Sequence, residues 1–200
     1  MKFCRKILRL EQKLRSLAAV EPSTRSPAHD LLRSSTHHLH HLVDRQFDLS
    51  SISSAATYSA FLLANWPSVS IEVALEGAGI HQLLPDWDKR RRREALADDL
   101  RQFGISPPGI GRLTIDSDHG TLLGWSYVLE GSRLGAAMIL RALGEQGARG
   151  TRFLRHGDGE QFWRSYKIAL SEIDGNPLAV SKACAAAKVA FQCFLATRSR

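Results

Sequence analysis

The sequence predicts an all-α protein with a single helical domain, and three observations lead to that class. Two hundred residues with 44% hydrophobic content suit one substantial core. Apolar residues recur at helical spacing, whereas alternating β-branched runs are nearly absent outside the short stretch SVSIEV. Proline, glycine and capping residues mark the ends of the helical segments. We predict a basic extension over residues 1–27 and a helical domain over residues 28–200.

The N-terminal segment carries basic residues throughout its apolar part. It lacks the uninterrupted apolar region of a secretory signal, so we interpret it as a basic helix outside the core, with an organelle-targeting segment as the alternative. No run of eighteen or more apolar residues occurs, which predicts a soluble protein. Cys4, Cys184 and Cys193 are too few for a disulfide framework and share no metal-type spacing, which favours a reducing cytoplasm.

Helix signals follow one another along the rest of the chain. The first three predicted helices are a segment from Pro27 through LLRSSTHHLHHLVDRQF, the segment SSAATYSAFLLANW up to Pro67, and IEVALEGAG. A basic helix capped by Asp86 or Asp88 should stop at Gly104, before the loop ISPPGIGRLTIDSDHG. The long apolar helix TLLGWSYVLEGSRLGAAMILRAL follows, then the glycine-rich loop GEQGARGTRFLRHGDG. The last two helices are EQFWRSYKIALSEI and, after Pro177, AVSKACAAAKVAFQCFLA.

The formal charge of +7 does not by itself indicate a nucleic-acid partner. Nucleic-acid binders interleave basic residues with stacking aromatics or place them on a recognition helix, and this chain mostly does neither. The densest basic run covers residues 89–93 and is flanked by Asp86, Asp88 and Glu94, which is typical of a solvated face on a surface helix. The alternative is a docking patch for an acidic redox partner, since complementary charge raises encounter rates.

Four of the eight histidines lie in the stretch HHLHH at residues 37–41, and a helical wheel separates them. The arc predicted to be buried contains Leu32, Thr36, Leu39, Val43 and Phe47. His40 lies at the border of this arc, whereas His37, His38 and His41 should face water. Only His40 is therefore placed to enter an apolar pocket.

Arg33 lies on nearly the same side of the helix as His40, about 10 Å away along the axis. This pair suits a ligand with a metal at its centre and carboxylates at its edge, because imidazole binds iron and guanidinium binds carboxylate. The alternative is a histidine at the core edge beside a surface arginine. A third interpretation is a divalent-metal site from His37 and His41, which are spaced i, i+4, although no further ligand cluster supports it.

Gly131 and Gly135 lie four residues apart on one face of the long helix, and Ser132, Ala136 and Ala137 keep the adjoining surface small. Each interior glycine costs roughly 1 kcal/mol relative to alanine, which suggests that close approach to the backbone is required. Tight packing against another helix is one explanation. A planar ligand lying against exposed backbone is the other.

These segments together resemble the bacterial heme oxygenases. LRSSTHHLHHLVD is similar to the proximal helix of that family, in which a threonine precedes the iron-ligating histidine by four positions, as Thr36 precedes His40. YVLEGSRLGAAMIL resembles the distal helix of bacterial members. FWRSYKIAL resembles the later helix that supplies an arginine to the heme propionates, here Arg164, and AAAKVAFQCF resembles the C-terminal end.

The resemblance implies a heme oxygenase-like bundle with heme between the proximal and distal helices. His40 would be the axial iron ligand. The residues implied on the catalytic, distal side are Gly131, Ser132, Gly135 and Ala136, and those implied to contact the cofactor are Arg33, Thr36, His40, Tyr127 and Arg164. Animal members have an aspartate where this chain has Ser132, whose hydroxyl can still donate and accept hydrogen bonds.

The activity implied by the resemblance is oxidative cleavage of heme to biliverdin, with release of carbon monoxide and ferrous iron. The reaction needs O2 and an external ferredoxin- or flavin-type reductase, because the sequence has no Gly-x-Gly-x-x-Gly motif or P-loop for a dinucleotide of its own. A biliverdin-accepting phytochrome is a further implied partner; nucleic acid and membrane are not expected. The alternatives are a heme-binding or heme-shuttling protein of the same fold, and a helical interaction module without a cofactor.

Overall fold

The structure is a computed structural model that describes residues 26–46, 54–143 and 149–196. All regular structure in these ranges is helical, which confirms the all-α class. The predicted N-terminal extension lies almost wholly outside the described residues and stays a prediction. The helices are α1 (Pro27–Gln46), α2 (Ala55–Ala64), α3 (Pro67–Gly77), α4 (Trp87–Arg90), α5 (Arg93–Gln102), α6 (His119–Leu143), α7 (Arg152–Arg155), α8 (Phe162–Ser171) and α9 (Pro177–Leu195), with a 3-10 turn at Ile80–Gln82.

Most helix boundaries follow the predicted ones; the differences lie in α3, in the connection after α6 and in the basic segment that forms α4 and α5. The strand-like stretch SVSIEV lies inside α3, which starts at Pro67 rather than near Ile71. Proline is favoured at this first position because the amide that it lacks has no partner within the helix. The second difference is the short helix α7 within the glycine-rich connection that follows α6.

The basic run at residues 89–93 does not form the solvated face of one helix, and that prediction is wrong. The chain leaves α4 at Arg91 with an extended backbone (φ −63°, ψ 129°), and α5 begins two residues later. Both Arg90 and Arg92 are consequently buried. The two remaining arginines are ion-paired, Arg91 with Asp88 at 3.2 Å and Arg93 with Glu76 at 2.8 Å. The four arginine guanidinium groups thus form contacts within the protein, whereas Lys89 is exposed. The alternative of a docking patch for a redox partner stays a prediction.

Helix α9 is the centre of the bundle and packs against both α6 and α1. Its close contact with α6 depends on Gly120 and Gly124, where an added Cβ would collide with the carbonyl oxygens of Ala179 and Ala183. A second cluster of buried side chains joins α2, α5 and α7 to the C-terminal half of α6. The two halves of α6 thus serve different parts of the core.

Among the described helices, α9 is long and apolar enough to cross a membrane by length and composition. Its buried residues pack into the core that also contains α1, α3, α6 and α8. These residues are Val180, Ala183, Ala186, Ala187, Ala190, Phe191 and Phe194. The apolar composition of α9 therefore has an explanation in its position at the centre of the fold.

Candidate functional site

Helices α1, α6 and α9 run in the same direction, with their N-termini at one end of the bundle. At that end, Asp174, which shortly precedes α9, accepts hydrogen bonds of 2.8 Å from the Ser26 hydroxyl and the Ala28 amide at the start of α1. His40 lies thirteen residues after the start of α1 and Phe191 fourteen residues after the start of α9, and their rings are 5.9 Å apart. The N-terminal part of α6 packs against the N-terminal part of α9. Equivalent turns of the three helices therefore lie at similar levels.

One face of α6 carries four glycines, at positions 120, 124, 131 and 135. At 100° per residue they lie within an arc of about 60°. The first two are in contact with the α9 backbone, whereas no described atom lies within 4 Å of a Cβ built on Gly131 or Gly135. Leu134 borders this glycine face and its side chain is 54% exposed. The explanation of Gly131 and Gly135 by tight helix packing is thus not supported in the described part of the chain.

Thr36 and Tyr127 join α1 to α6 one helical turn before Gly131. Thr36 is buried, and its hydroxyl donates a 2.7 Å hydrogen bond to the Leu32 carbonyl oxygen. Burial raises the pKa of Tyr127, while hydrogen bonding with Thr36 and the positive charge of Arg33 oppose this rise. One turn beyond this contact, at about 5–6 Å along each axis, α1 presents His40 and α6 presents Gly131. His40 and Gly131 therefore lie at the same level of the bundle.

His40 lies at the edge of the buried face of α1, as the helical wheel predicts. Its side chain is 59% exposed, and Nδ1 lies 2.9 Å from Oδ2 of Asp44. The ring also contacts Phe191 edge to face, with an angle of 65° between the planes. His37, His38 and His41 are exposed, whereas Leu32 is buried and Leu39 and Val43 pack against the core. Phe47 lies outside the described residues.

The residues expected to bind carboxylates are not all brought together. Arg33 lies near Tyr127 on the exposed side of α1, and Arg164 is exposed on α8. The contact between α8 and the start of α1 is made by Trp163, whose ring lies 5.7 Å from His29 and 6.1 Å from Tyr127. Burial lowers the pKa of His29, and the charge of Lys167 lowers it further. Lys167, which the sequence motifs did not single out, is thus close to α1.

The side chains of Ser132 and Ala136 point away from the glycine face. Ala136 is buried in the second core cluster, which includes residues of α5 and α7. The Ser132 hydroxyl donates a 2.7 Å hydrogen bond to the Leu129 carbonyl oxygen. It accepts a second hydrogen bond, also of 2.7 Å, from Nη2 of Arg92. Arg92 Nη2 also lies 3.1 Å from the Leu129 carbonyl oxygen. The buried guanidinium therefore fixes the turn of α6 that precedes and includes Gly131.

Arg92 belongs to a buried network of charges behind α6. The Glu72 carboxylate accepts hydrogen bonds from the Arg92 and Arg93 amides at 3.0–3.1 Å. Burial raises the pKa of Glu72, and the charge of Arg92 opposes the rise. Arg90 pairs with Glu130 at 2.9 Å and forms two hydrogen bonds with Asp86, whose carboxylate does not cap α4. Because removing one partner strands the other in the interior, this network is expected to hold α6 rigidly against the segment 90–93.

The same network reaches His156, in the turn after α7. Arg133 Nη1 lies 3.2 Å from Nδ1 of His156, so the neutral imidazole accepts the hydrogen bond. Burial and the charges of Arg133 and Arg92 lower the pKa of His156 from 6.5 to about 4. Between these two values the unfolded chain binds more protons than the folded protein, and stability therefore falls as the pH decreases from about 6.5 to about 4.

We predict that His156→Gln removes this part of the pH dependence. Protonation of His156 in the unfolded chain is expected to lower the free energy of unfolding of the wild-type protein by on the order of 1–2 kcal/mol as the pH falls from about 6.5 to about 4. This value allows for the partial exposure of the imidazole. Urea unfolding of both proteins at several pH values between 4 and 7 measures the difference. Parallel curves for wild type and variant would show that His156 does not contribute.

Comparisons with known proteins bear on this arrangement. The family model described as heme oxygenase matches residues 80–199, which is more than half of the chain. Among solved structures, the chain is similar to the heme oxygenase from Neisseria meningitidis, in crystal structures of its NO- and CO-bound forms. The TM-score is 0.71 at 23% sequence identity, over 86% of this chain and 90% of that one. None of the curated proteins matches the sequence.

The two matches cover different parts of the candidate site. The family model includes α6, α8 and α9 but begins after α1, so it contains the glycine face and does not contain His40. The similarity in structure extends over most of the chain and confirms the predicted bundle fold. The roles of the individual site residues stay predictions.

Proposed function

Because the chain belongs to the heme oxygenase family and is a heme-degrading oxygenase, we propose that it holds heme between α1 and α6 and cleaves it to biliverdin. Carbon monoxide and ferrous iron are the other proposed products, and O2 and external electrons are consumed. His40 would bind the heme iron, and the backbone at Gly131 and Gly135 of α6 would form the opposite wall. The observation that supports this arrangement is the position of His40 at the level of Gly131, one turn beyond the contact between Thr36 and Tyr127.

The glycine face suits a flat, largely apolar ring. Gly131 and Gly135 leave room above the α6 backbone, and the exposed Leu134 side chain beside them would gain from being covered. A Cβ at either glycine would enter the same space. Bound heme supplies the iron at which oxygen is activated and the ring that is cleaved. The protein residues orient that ring, exclude water and position protons.

Asp44 is the residue that orients His40 in this proposal. Its carboxylate accepts a hydrogen bond from Nδ1–H at 2.9 Å, which assigns the imidazole lone pair to Nε2, the nitrogen proposed to bind iron. The N–H of the second ring nitrogen of a histidine ligand commonly donates a hydrogen bond to a carboxylate, which fixes the ring and makes the ligating nitrogen more basic. The edge of Phe191 limits rotation of the same ring.

We propose that the heme propionates bind to Arg33 and Arg164, and we add Lys167 because its charge acts on His29 of α1. Thr36 and Tyr127 close the end of the site between α1 and α6 and contact the heme edge in this proposal. Guanidinium groups bind carboxylates through two parallel hydrogen bonds, so the arginines set the orientation of the ring more strictly than the lysine.

We assign Ser132 a positioning role, because its hydroxyl is engaged with Arg92 and Leu129. Ser132→Ala should lower the free energy of unfolding by about 1–2 kcal/mol, since it removes a hydrogen bond to a buried guanidinium. Heme turnover should fall by less than about tenfold, the equivalent of 1.4 kcal/mol in a rate. Urea unfolding and the rate of heme loss measure the two effects. Complete loss of turnover with heme still bound would instead indicate that Ser132 delivers protons.

Electrons are proposed to come from a ferredoxin- or flavin-type reductase in the cytoplasm, and a phytochrome is the proposed acceptor of biliverdin. The absence of a dinucleotide motif from the sequence favours an external donor. Complementary charge favours such an encounter in general. The arginines of the run 89–93 are not part of the proposed docking surface, because they are buried or ion-paired.

The aerobic reaction of the hemin complex with an electron donor tests the proposed function. The expected result is decay of the Soret band, appearance of biliverdin absorbance and release of carbon monoxide. Product chromatography identifies which meso carbon is cleaved. Intact heme after incubation with a competent donor would contradict the proposed reaction and favour a heme-binding or heme-shuttling protein.

A further inference from the structure

We propose that His37 and His41 form a second metal site, on the outer face of α1, for a borderline divalent cation such as Zn²⁺ or Cu²⁺. Both residues are exposed, and neither has a part in the proposed heme site. They are one helical turn apart, so their side chains lie above one another on the same face. The site is therefore presented to solvent by a helix that is anchored to the core through its opposite face.

The distance between the two imidazoles fits a shared ion. Nε2 of His37 lies 3.1 Å from Nε2 of His41, and the ring centroids are 4.4 Å apart. A cation bound to both nitrogens at about 2.0–2.1 Å would hold them roughly 2.9 Å apart at a right angle and roughly 3.4 Å apart at the tetrahedral angle. The observed separation lies inside that interval. Binding therefore requires small adjustments of the side chains and no movement of the helix.

The ligand atoms determine which cations the site takes. Imidazole nitrogen suits Zn²⁺, Cu²⁺ and Ni²⁺, whereas Mg²⁺ and Ca²⁺ prefer oxygen. No third histidine, cysteine or carboxylate joins a metal cluster among the described residues, so water completes the coordination. Arg33 and Asp30 line a surface depression beside His37. The charge of Arg33 disfavours a cation near this imidazole, and the charge of Asp30 favours one.

A hydrogen bond between the two rings explains the same distance without a metal. That bond requires a proton on one of the two Nε2 atoms, whereas a shared cation requires a lone pair on both. Metal binding would therefore replace the ring-to-ring hydrogen bond. The two explanations differ in a measurable way, because only the metal site predicts that both imidazole nitrogens coordinate an added ion.

Calorimetric titration of Zn²⁺ into the full-length, heme-free protein tests the proposal, with Cu²⁺ electron paramagnetic resonance as the second readout. Wild type should bind one equivalent through these residues, and the Cu²⁺ spectrum should show coupling to two nitrogens. His37→Ala and His41→Ala should each weaken binding by about tenfold or more, because the second imidazole acts as an intramolecular ligand. His38→Ala, on the same exposed stretch, is the matched control and should leave binding unchanged. Equal affinity in all four proteins, or no binding by wild type, would overturn the proposal.

Hemin binding by the same variants separates this proposal from the heme assignment. His37→Ala and His41→Ala retain His40 and should keep the Soret band of the wild-type hemin complex. Loss of zinc binding with an intact Soret band supports the second metal site. Loss of the Soret band in either variant would contradict His40 as the heme ligand, whatever the result of the zinc titration.

Discussion

Replacing His40 with alanine is expected to lower heme turnover by roughly 100-fold or more. Mutation of a residue that orients a ligating histidine typically lowers metal affinity or activity by about 10- to 100-fold. Removal of the ligand itself should lower turnover at least as much. The hemin complex of His40→Ala should show a shifted or weakened Soret band. Added imidazole should restore part of the wild-type spectrum, because it can enter the space that the side chain leaves.

The control for this experiment is His38→Ala, which removes an exposed histidine two residues away. Its Soret band and turnover should equal those of wild type. Urea unfolding of both variants should give free energies close to the wild-type value, since the His40 side chain is more than half exposed. A His40→Ala protein that is folded, binds hemin with an unaltered spectrum and turns it over normally would contradict the proposed ligand.

Gly124→Ala is expected to lower the free energy of unfolding by about 3 kcal/mol. An added Cβ would collide with the carbonyl oxygen of Ala183 and would lie 2.8 Å from the Ala186 Cβ. Neither neighbour can move without shifting α9, the helix against which both α6 and α1 pack. Thermal or urea unfolding of the heme-free protein measures the effect.

Gly135→Ala is the matched comparison, on the same face and three turns further along α6. No described atom lies within 4 Å of its added Cβ, so the heme-free protein should gain up to about 1 kcal/mol from the better helix former. Hemin affinity should fall by about tenfold, because the methyl group occupies the space proposed for the ring. Equal destabilisation by the two substitutions, or hemin binding by Gly135→Ala as tight as that of wild type, would contradict the proposal that Gly124 packs against α9 and Gly135 faces the heme.

The helical wheel of α1 could be predicted because helical periodicity is a local property. Leu32 and Thr36 are buried, and His37, His38 and His41 face water, as their spacing indicates. The fold class follows for the same reason. The orientation of Asp44 toward Nδ1 of His40 is compatible with their i, i+4 spacing, but that spacing alone does not distinguish it from other rotamers.

The basic run shows where local reasoning fails. Charge counting places Arg90 and Arg92 in solvent, although both are buried. The Arg90 guanidinium pairs with Glu130 of α6, whereas the Arg92 guanidinium binds oxygen atoms of Leu129 and Ser132, and only the Arg92 amide binds Glu72. Those partners, Glu72 and Glu130, interrupt the apolar helices α3 and α6. A charged residue in an otherwise apolar helix needs a buried partner of opposite charge, and this signal could have directed the arginines inward.

The glycines of α6 show a second limit. The pairs Gly120/Gly124 and Gly131/Gly135 have the same spacing and lie on the same face, yet the described structure packs one pair against α9 and leaves room beside the other. The sequence analysis predicts a role only for Gly131 and Gly135. Which pair packs depends on the path of the neighbouring helix, which the spacing within α6 does not determine.

A crystal structure of the hemin complex would show whether heme lies between α1 and α6. We expect His40 Nε2 within bonding distance of iron, Asp44 still hydrogen-bonded to Nδ1, and the opposite side of the ring against the backbone at Gly131 and Gly135. Iron bound by another side chain, or heme lying away from the glycine face, would contradict this arrangement.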